Sequence, residues 1–321
     1  MQELIEAKAA QLPADLVEAV ERASSFAEAS KAENTRRAYA AAWADFTSWC
    51  AAKAIEPLPA SPSTVGVYLA DAAERVKYST LSLRLAAISS RHRAHGFHLD
   101  TRAPQIRDVM RGIARVKGTA PNKKAATTAE ILRDALRAYA AGDRLKAKRD
   151  RALLSIGFFA ALRRSELVAI DVEHVTVTAD GLVLRLPRRK TDQTGEGTEI
   201  GLPVKDDPAI CPVKAFRDYV EAAGITEGAV FRSISKGDRL LAHRLVTSDV
   251  ARIVKAATKA AGYDPTAFSG HSLRSGFITS AARAGVADRV IMKQTGHKRL
   301  EEMHGYIRRA GLFTENAAAQ I

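Results

Sequence analysis

Across most of this 321-residue chain the apolar side chains recur at the spacing of one helix face, and the pattern changes character only between about residues 173 and 203. Helical spacing repeated through a chain forces helices into layers, because each apolar stripe has to be buried against another. Tyr39, Trp43 and Phe46 fall at i, i+4 and i+7 behind a capping stretch, Glu33-Asn34-Thr35. Val65, Tyr68, Leu69 and Ala72 form a second stripe behind Ser61-Pro62. Further helices are predicted over about 79–94 and 104–116, with a short acidic one over 14–28. The segment Lys117-Gly-Thr-Ala-Pro-Asn-Lys-Lys124 carries turn formers and charge but no apolar period, and reads as a linker. Helical spacing resumes at about 128–140 and 146–160, then at 211–223, 247–261, 271–284, 287–295, 299–308 and 312–319. In the exceptional stretch, strand-like runs at 173–178, 182–187 and 198–203 are separated by polar turns. The reading is a mainly α protein with one small antiparallel sheet. It divides into an acidic N-terminal segment (1–30), a helical bundle (31–116), a linker (117–127) and a second domain (128–321) ending in a tail helix.

Charge narrows the partner. The net charge of +13 and a pI near 9.9 point to a polyanion. Residues 1–30 are acidic, whereas twelve lysines and arginines between Arg75 and Lys124 face only Asp100 and Asp108. A run so one-sided, on helices and a linker, fits tracking of phosphates better than a merely solvated face. The two cysteines, Cys50 and Cys211, fall in different predicted domains, so no disulfide is expected, in keeping with a reducing cytoplasm. A cationic start with an apolar h-region is missing from the first thirty residues, and no run of 18 apolar residues occurs, so neither a signal peptide nor a membrane partner is expected. His92, His95 and His98 allow a metal by spacing, but Gly96 breaks the helix and no Cys or acid completes a shell. There is no Gly-x-x-x-x-Gly-Lys-[ST] loop and no acidic pair placed for two-metal chemistry, so no cofactor is expected.

The chemistry sits in scattered pieces. Arg163 and Glu166 lie in Ala161-Leu-Arg-Arg-Ser-Glu-Leu167, between an apolar helix and a short one. His271-Ser-Leu-Arg274 puts an imidazole and a guanidinium on one helix face, behind Ser269-Gly270 where free amides favour an anion. Thr295-Gly-His297 reads as a turn, and Tyr306 follows nine residues on. Each piece alone has a bland reading: an ion pair, an exposed helix, a capping histidine, a packed tyrosine. As a set they suit attack on a phosphodiester. Guanidinium forks match phosphate oxygens and stay charged. A phenol, with a free pKa of about 10, becomes a nucleophile when its proton is taken.

In this order the pieces resemble a tyrosine recombinase of the phage-integrase family, over nearly the whole chain from Asn34-Thr-Arg-Arg-Ala-Tyr39 to the tail after Tyr306. That family's pattern is an Arg box, a hairpin Lys, His-x-x-Arg, Gly-His, and a Tyr nine residues after that His. The resemblance implies a SAM-like core-binding domain for the bundle and an α+β catalytic domain of tyrosine-recombinase type. It assigns Arg163, Lys190, His271, Arg274, His297 and Tyr306 as catalytic and Glu166 as a buttress. Lys190 is selected because a Lys-Thr-Asp run occupies the turn between the strands at 182–187 and 198–203 in similar members. Arg188 and Arg189 then become phosphate contacts. Arg36 and Arg37 in the bundle's first motif join them, as do Arg84, Arg91, Arg93, Arg111, Lys117, Lys123 and Lys124 from the basic run.

The implied activity is site-specific recombination. Strands of double-stranded DNA with inverted-repeat sites are cut and rejoined through a 3′-phosphotyrosyl intermediate, in a homo-tetramer whose C-terminal tails dock in trans. A type IB topoisomerase-like relaxation, or a catalytically silent DNA-binding relative, are the alternatives. Two departures from the pattern stand before the nucleophile. Gly305 weakens its helix by about 1 kcal/mol against Ala, and His304, two residues away, should point away from Tyr306.

Overall fold

A computed structural model describes residues 33–120, 124–140, 142–187 and 197–301, together with scattered positions between 16 and 26, Met303 and Gly305. Lys123, Arg188, Arg189, Lys190, His304, Tyr306 and the tail after it lie outside the described residues. The described positions between Leu16 and Phe26 are helical, where the acidic helix is predicted.

The chain divides into two compact units, residues 1–122 and 123–321. The first is a four-helix bundle: α1 (Glu33–Ala52), α2 (Pro62–Ala73), α3 (Tyr78–Ala94) and α4 (Pro104–Lys117). Ser61 caps α2 by accepting the Thr64 amide, and Pro62 opens it with a pre-set φ. The stripes read from the sequence meet inside. Phe46, Val65, Tyr68, Leu69 and Ala72 are fully buried, with the Phe46 and Tyr68 rings edge-on at 4.9 Å. His92 belongs to this core. Its Nε2 accepts the Ala60 amide at 2.8 Å and its Nδ1 lies 2.8 Å from the Ile88 carbonyl, so both ring nitrogens are engaged by backbone. Among the described residues no cluster of three His, Cys, Asp or Glu side chains could hold a metal ion.

The second unit is built around α6 (Leu145–Phe159), in which every residue from Arg149 to Phe158 except Arg151 is buried. Packed with it are α5 (Ala129–Tyr139) and the short α7 (Arg164–Val168). Next come β1 (Val175–Val177), β2 (Gly181–Leu186) and β3 (Thr198–Pro203), an antiparallel sheet in the order β1-β2-β3. Leu182 pairs with Leu202 and Leu184 with Ile200, and all four turn inward to the core. After α8 (Pro212–Ala223) comes a hairpin that the apolar spacing does not announce, β4 (Arg232–Ile234) and β5 (Leu240–Arg244). It is short and only half-buried, so neither face carries a clean alternation. Asp238, in its turn at φ +62°, accepts the Leu145 and Lys146 amides and so caps α6. Then follow α9 (Thr247–Ala260), α10 (Ser272–Arg283) and α11 (Asp288–Thr295). The protein is thus mainly α with small antiparallel β-structure, as the spacing predicts, but it has two small sheets instead of one. Cys50 and Cys211 are both buried and free. No described helix is long and apolar enough to cross a membrane.

One packing detail positions the site. Residues 124–129 run as a strap along the start of α10. The Ala125 amide donates to the Ala267 carbonyl, Thr127 to Ser272, and Ala129 to the Ser280 hydroxyl, all within 2.9 Å. The Lys124 ammonium adds a bond to the Thr266 carbonyl. The strap comes so close that a Cβ on Gly276 would lie 1.7 Å from the Thr127 carbonyl oxygen. Only glycine fits there.

Candidate active site

The turn that ends α6 is the hub. Beyond Phe159 the chain passes through Ala161 at φ +50°, a left-handed conformation that costs an alanine about 1 kcal/mol. Packing over-determines it: Ala160, Ala161 and Leu162 are all buried. Four hydrogen bonds converge on this turn and the start of the next helix. Gln294 of α11 donates to the Phe159 carbonyl at 2.9 Å. Arg274 of α10 donates through Nη1 to the Ala161 carbonyl at 2.7 Å. Arg163 then starts α7, and the Glu166 carboxylate accepts both its amide, at 2.9 Å, and its Nη1, at 2.7 Å.

Both guanidiniums are therefore held before any ligand arrives. Arg274 is 6% exposed and Glu166 8%, so their bonds compete little with water. Arg163 keeps 16% of its side chain open, enough for one edge of its fork to meet an oxygen. His271 sits one residue before α10 begins and is exposed there. Its own amide donates to the Ser269 hydroxyl at 3.3 Å.

His297 arrives from the other side. Gly296 ends α11 at φ +69° and reverses the chain, which brings the His297 Nε2 to 3.2 Å from Arg274 Nη2. The Nδ1 of the same ring lies 2.7 Å from the Thr295 hydroxyl. The sequence quotes Thr295 only as part of a turn, and its contact depends on a fully buried rotamer that no spacing reveals. The Ala161 carbonyl is likewise invisible as a sequence signal. Beyond His297, Met303 is fully buried with Ile278 and Ile291, and Gly305 is half-buried.

Two guanidiniums fixed by the protein and an imidazole bonded to one of them are groups suited to an oxyanion, since they need no rearrangement to meet its charge. The structure brings Arg163, Arg274 and His297 to one hub, with Glu166 beneath and His271 one turn from Arg274.

The predicted phosphate contacts are distributed differently. Arg36 is paired with Glu33 at 2.6 Å and Arg37 bonded to Asn34 at 2.6 Å, both on the exposed start of α1. Arg91 lies over the Trp43 ring, and Arg93 is exposed beside Phe97 and His98. Arg111 is 72% exposed, 3.8 Å from Asp108. Lys117 caps the end of α2 through the Ala73 carbonyl and Glu74, and Lys124 belongs to the strap. Arg84 stands apart: it is ion-paired to Asp45, which also accepts the Tyr68 hydroxyl, and its side chain is 12% exposed. It ties α3 to α1 inside the bundle.

The model of the phage integrase family matches residues 129–311. The integrase/recombinase xerD homolog of Selenomonas ruminantium is 39% identical over 298 residues, covering 90% of this chain and 86% of that protein. Two solved structures share the fold at low identity. A lambda integrase dimer bound to a COC′ core site matches with a TM-score of 0.59 at 16% identity, over 90% of this chain and 93% of that one. The XerH site-specific recombinase in a post-cleavage complex with palindromic difH substrate matches at 0.59 and 14%, over 81% and 72%.

Proposed function

From the premise that this chain belongs to the phage integrase family and is a tyrosine-type site-specific recombinase, we propose that it cuts and rejoins duplex DNA through a tyrosine–DNA phosphodiester. The observation that carries the reading is the hub at the end of α6, where Arg274 and His297 meet two residues before Arg163.

In the proposed reaction the Tyr306 oxygen attacks the scissile phosphorus, forming a 3′-phosphotyrosyl bond as the bond to the 5′ oxygen breaks. His271 takes the phenolic proton, and Lys190 gives one to the departing 5′ oxygen. Arg163 and Arg274 hold the non-bridging oxygens and meet the charge that builds on them. Glu166 keeps Arg163 aimed, and His297 adds a hydrogen bond to the phosphate. The covalent link conserves the energy of the phosphoester, so the 5′-hydroxyl of another strand reverses the step without a nucleotide cofactor.

Exchange between two duplexes requires four protomers, and the proposal extends to a tetramer on inverted-repeat sites with the tail after Tyr306 docked on a neighbour. The palindromic substrate of the XerH complex and the dimer on the lambda core site support sites of this symmetry. The bundle over 31–116 and the domain over 128–321 both contact DNA in this reading, with Arg36, Arg37, Arg91, Arg93, Arg111, Lys117, Lys123, Lys124, Arg188 and Arg189 on phosphates. Arg84, committed to Asp45, is given no phosphate.

A suicide duplex carrying a candidate site tests the reading. Incubation should give a covalent protein–DNA adduct, and Tyr306→Phe should give none. Absence of adduct on every genomic candidate would defeat it, and supercoil relaxation without strand exchange would favour the topoisomerase alternative.

A further inference from the structure

The Thr295 hydroxyl lies 2.7 Å from the Ile291 carbonyl oxygen, one turn back in α11, and 2.7 Å from His297 Nδ1. A carbonyl only accepts, and a hydroxyl has one proton. That proton belongs to the Ile291 bond, the back-bond usual for threonine in a helix. The hydroxyl oxygen must therefore accept from Nδ1, and the ring carries its hydrogen there. On the opposite edge, Arg274 Nη2 can only donate, and it stands 3.2 Å from Nε2. The pieces agree: Arg274 donates to His297, His297 to Thr295, and Thr295 to the backbone of α11. Thr295 is fully buried, so water has no access to rearrange the chain.

We infer that Thr295 is a positioning residue for His297, anchoring its Nδ1–H and fixing its ring plane so that Nε2 is the nitrogen turned to Arg274 and the phosphate site. When a phosphodiester draws Arg274 Nη2 onto its own oxygens, Nε2 is released to take a proton from solvent and donate it in a hydrogen bond to a phosphate oxygen, while Nδ1–H stays on Thr295. The catalytic part of this inference rests on the proposed role of His297. The tautomer part does not.

Two measurements separate them. Long-range proton–nitrogen correlation spectra of the free protein, labelled with 15N-histidine and assigned through His297→Gln, should show His297 as the Nδ1–H form in the wild type and in Thr295→Ser. In Thr295→Val, which keeps the shape and removes the acceptor, Arg274 still donates to Nε2, so the ring should keep its hydrogen on Nδ1, but that N–H should lose its hydrogen-bonded downfield shift and exchange faster with water. Thr295→Ala, without added bulk, should change it the same way. In single-turnover cleavage of the suicide duplex, both hydroxyl-free variants should fall about tenfold, the worth of one buried hydrogen bond, with duplex affinity within about twofold and Ser close to wild type. A His297 Nδ1–H signal unchanged in Val and Ala, or cleavage unchanged in both, overturns the inference. If the wild type itself forms no adduct, the recombination reading fails and the tautomer result still stands or falls alone.

Discussion

Arg163 and Glu166 show how one residue pair can serve both stability and chemistry. The carboxylate accepts two bonds from a single arginine, and both partners are largely buried, so removing one leaves the other's charge without compensation. Glu166→Ala should lower the free energy of unfolding by about 3 kcal/mol, read by urea titration, and should reduce adduct formation as well. Arg163→Lys should behave differently. A lysine keeps the charge but offers a point donor in place of a planar fork, so it cannot hold Glu166 and a phosphate oxygen at once. Stability should change little, while cleavage on the suicide duplex should drop on the order of 10²-fold, as when an oxyanion donor is lost. A Lys variant that cleaves as well as wild type would remove Arg163 from the phosphate. At this scale the sequence displays residue types and order, and Arg163, His271, Arg274 and His297 are all visible as motifs. What it hides is orientation. The Ala161 carbonyl that anchors Arg274, and the Thr295 rotamer under His297, exist only once α6, α10 and α11 have packed.

Among the elements, α10 matters most, because it carries Arg274, starts at His271 and is strapped by residues 124–129. Gly276 makes the close approach possible, and a methyl group there would meet the Thr127 carbonyl. Gly276→Ala should therefore destabilise the second unit by about 2 kcal/mol or more, well beyond the small gain that an alanine brings to a helix elsewhere, and a thermal melt would register it. The β4–β5 hairpin supports α6 in another way. Backbone amides of Lys146 and Leu145 hold the Asp238 carboxyl below its ordinary range. A depressed folded-state value means that the cap contributes fully above about pH 4 and fades as the pH falls through the folded value. Wild type should thus be more stable than Asp238→Asn at pH 7, and the two should converge below about pH 4. A gap that persists in acid would assign the effect to shape, not charge. The helices and β1–β3 were legible because long periodic stripes and inward-facing leucines leave a pattern. The hairpin was not, because its three- and five-residue strands have no buried face to write one.

For the molecule as a whole the question is which of its many cations serve DNA and which serve the fold. A net charge of +13 cannot answer this, since the basic run between Arg75 and Lys124 contains both kinds. Exposure and partners separate them. Arg93 and Arg111 are exposed, and the acid nearest Arg111 is 3.8 Å away. Arg84 sits against Asp45 and the Tyr68 ring with little surface left. A phosphate contact releases condensed counterions, so each one adds about 0.9 to the steepness of log affinity against log salt. Measured on one duplex across a salt series, Arg93→Ala and Arg111→Ala should each flatten that slope by about 1 and weaken binding on every sequence alike. Arg84→Ala should leave the slope where it was and lower the melting temperature of the first unit instead, because it strips Asp45 of a partially buried partner. The double variant Arg84→Ala with Asp45→Ala should lose more, since it also takes away the acceptor of the buried Tyr68 hydroxyl. If Arg84→Ala flattens the salt slope as the exposed arginines do, Arg84 reaches DNA after all and the division by burial is wrong.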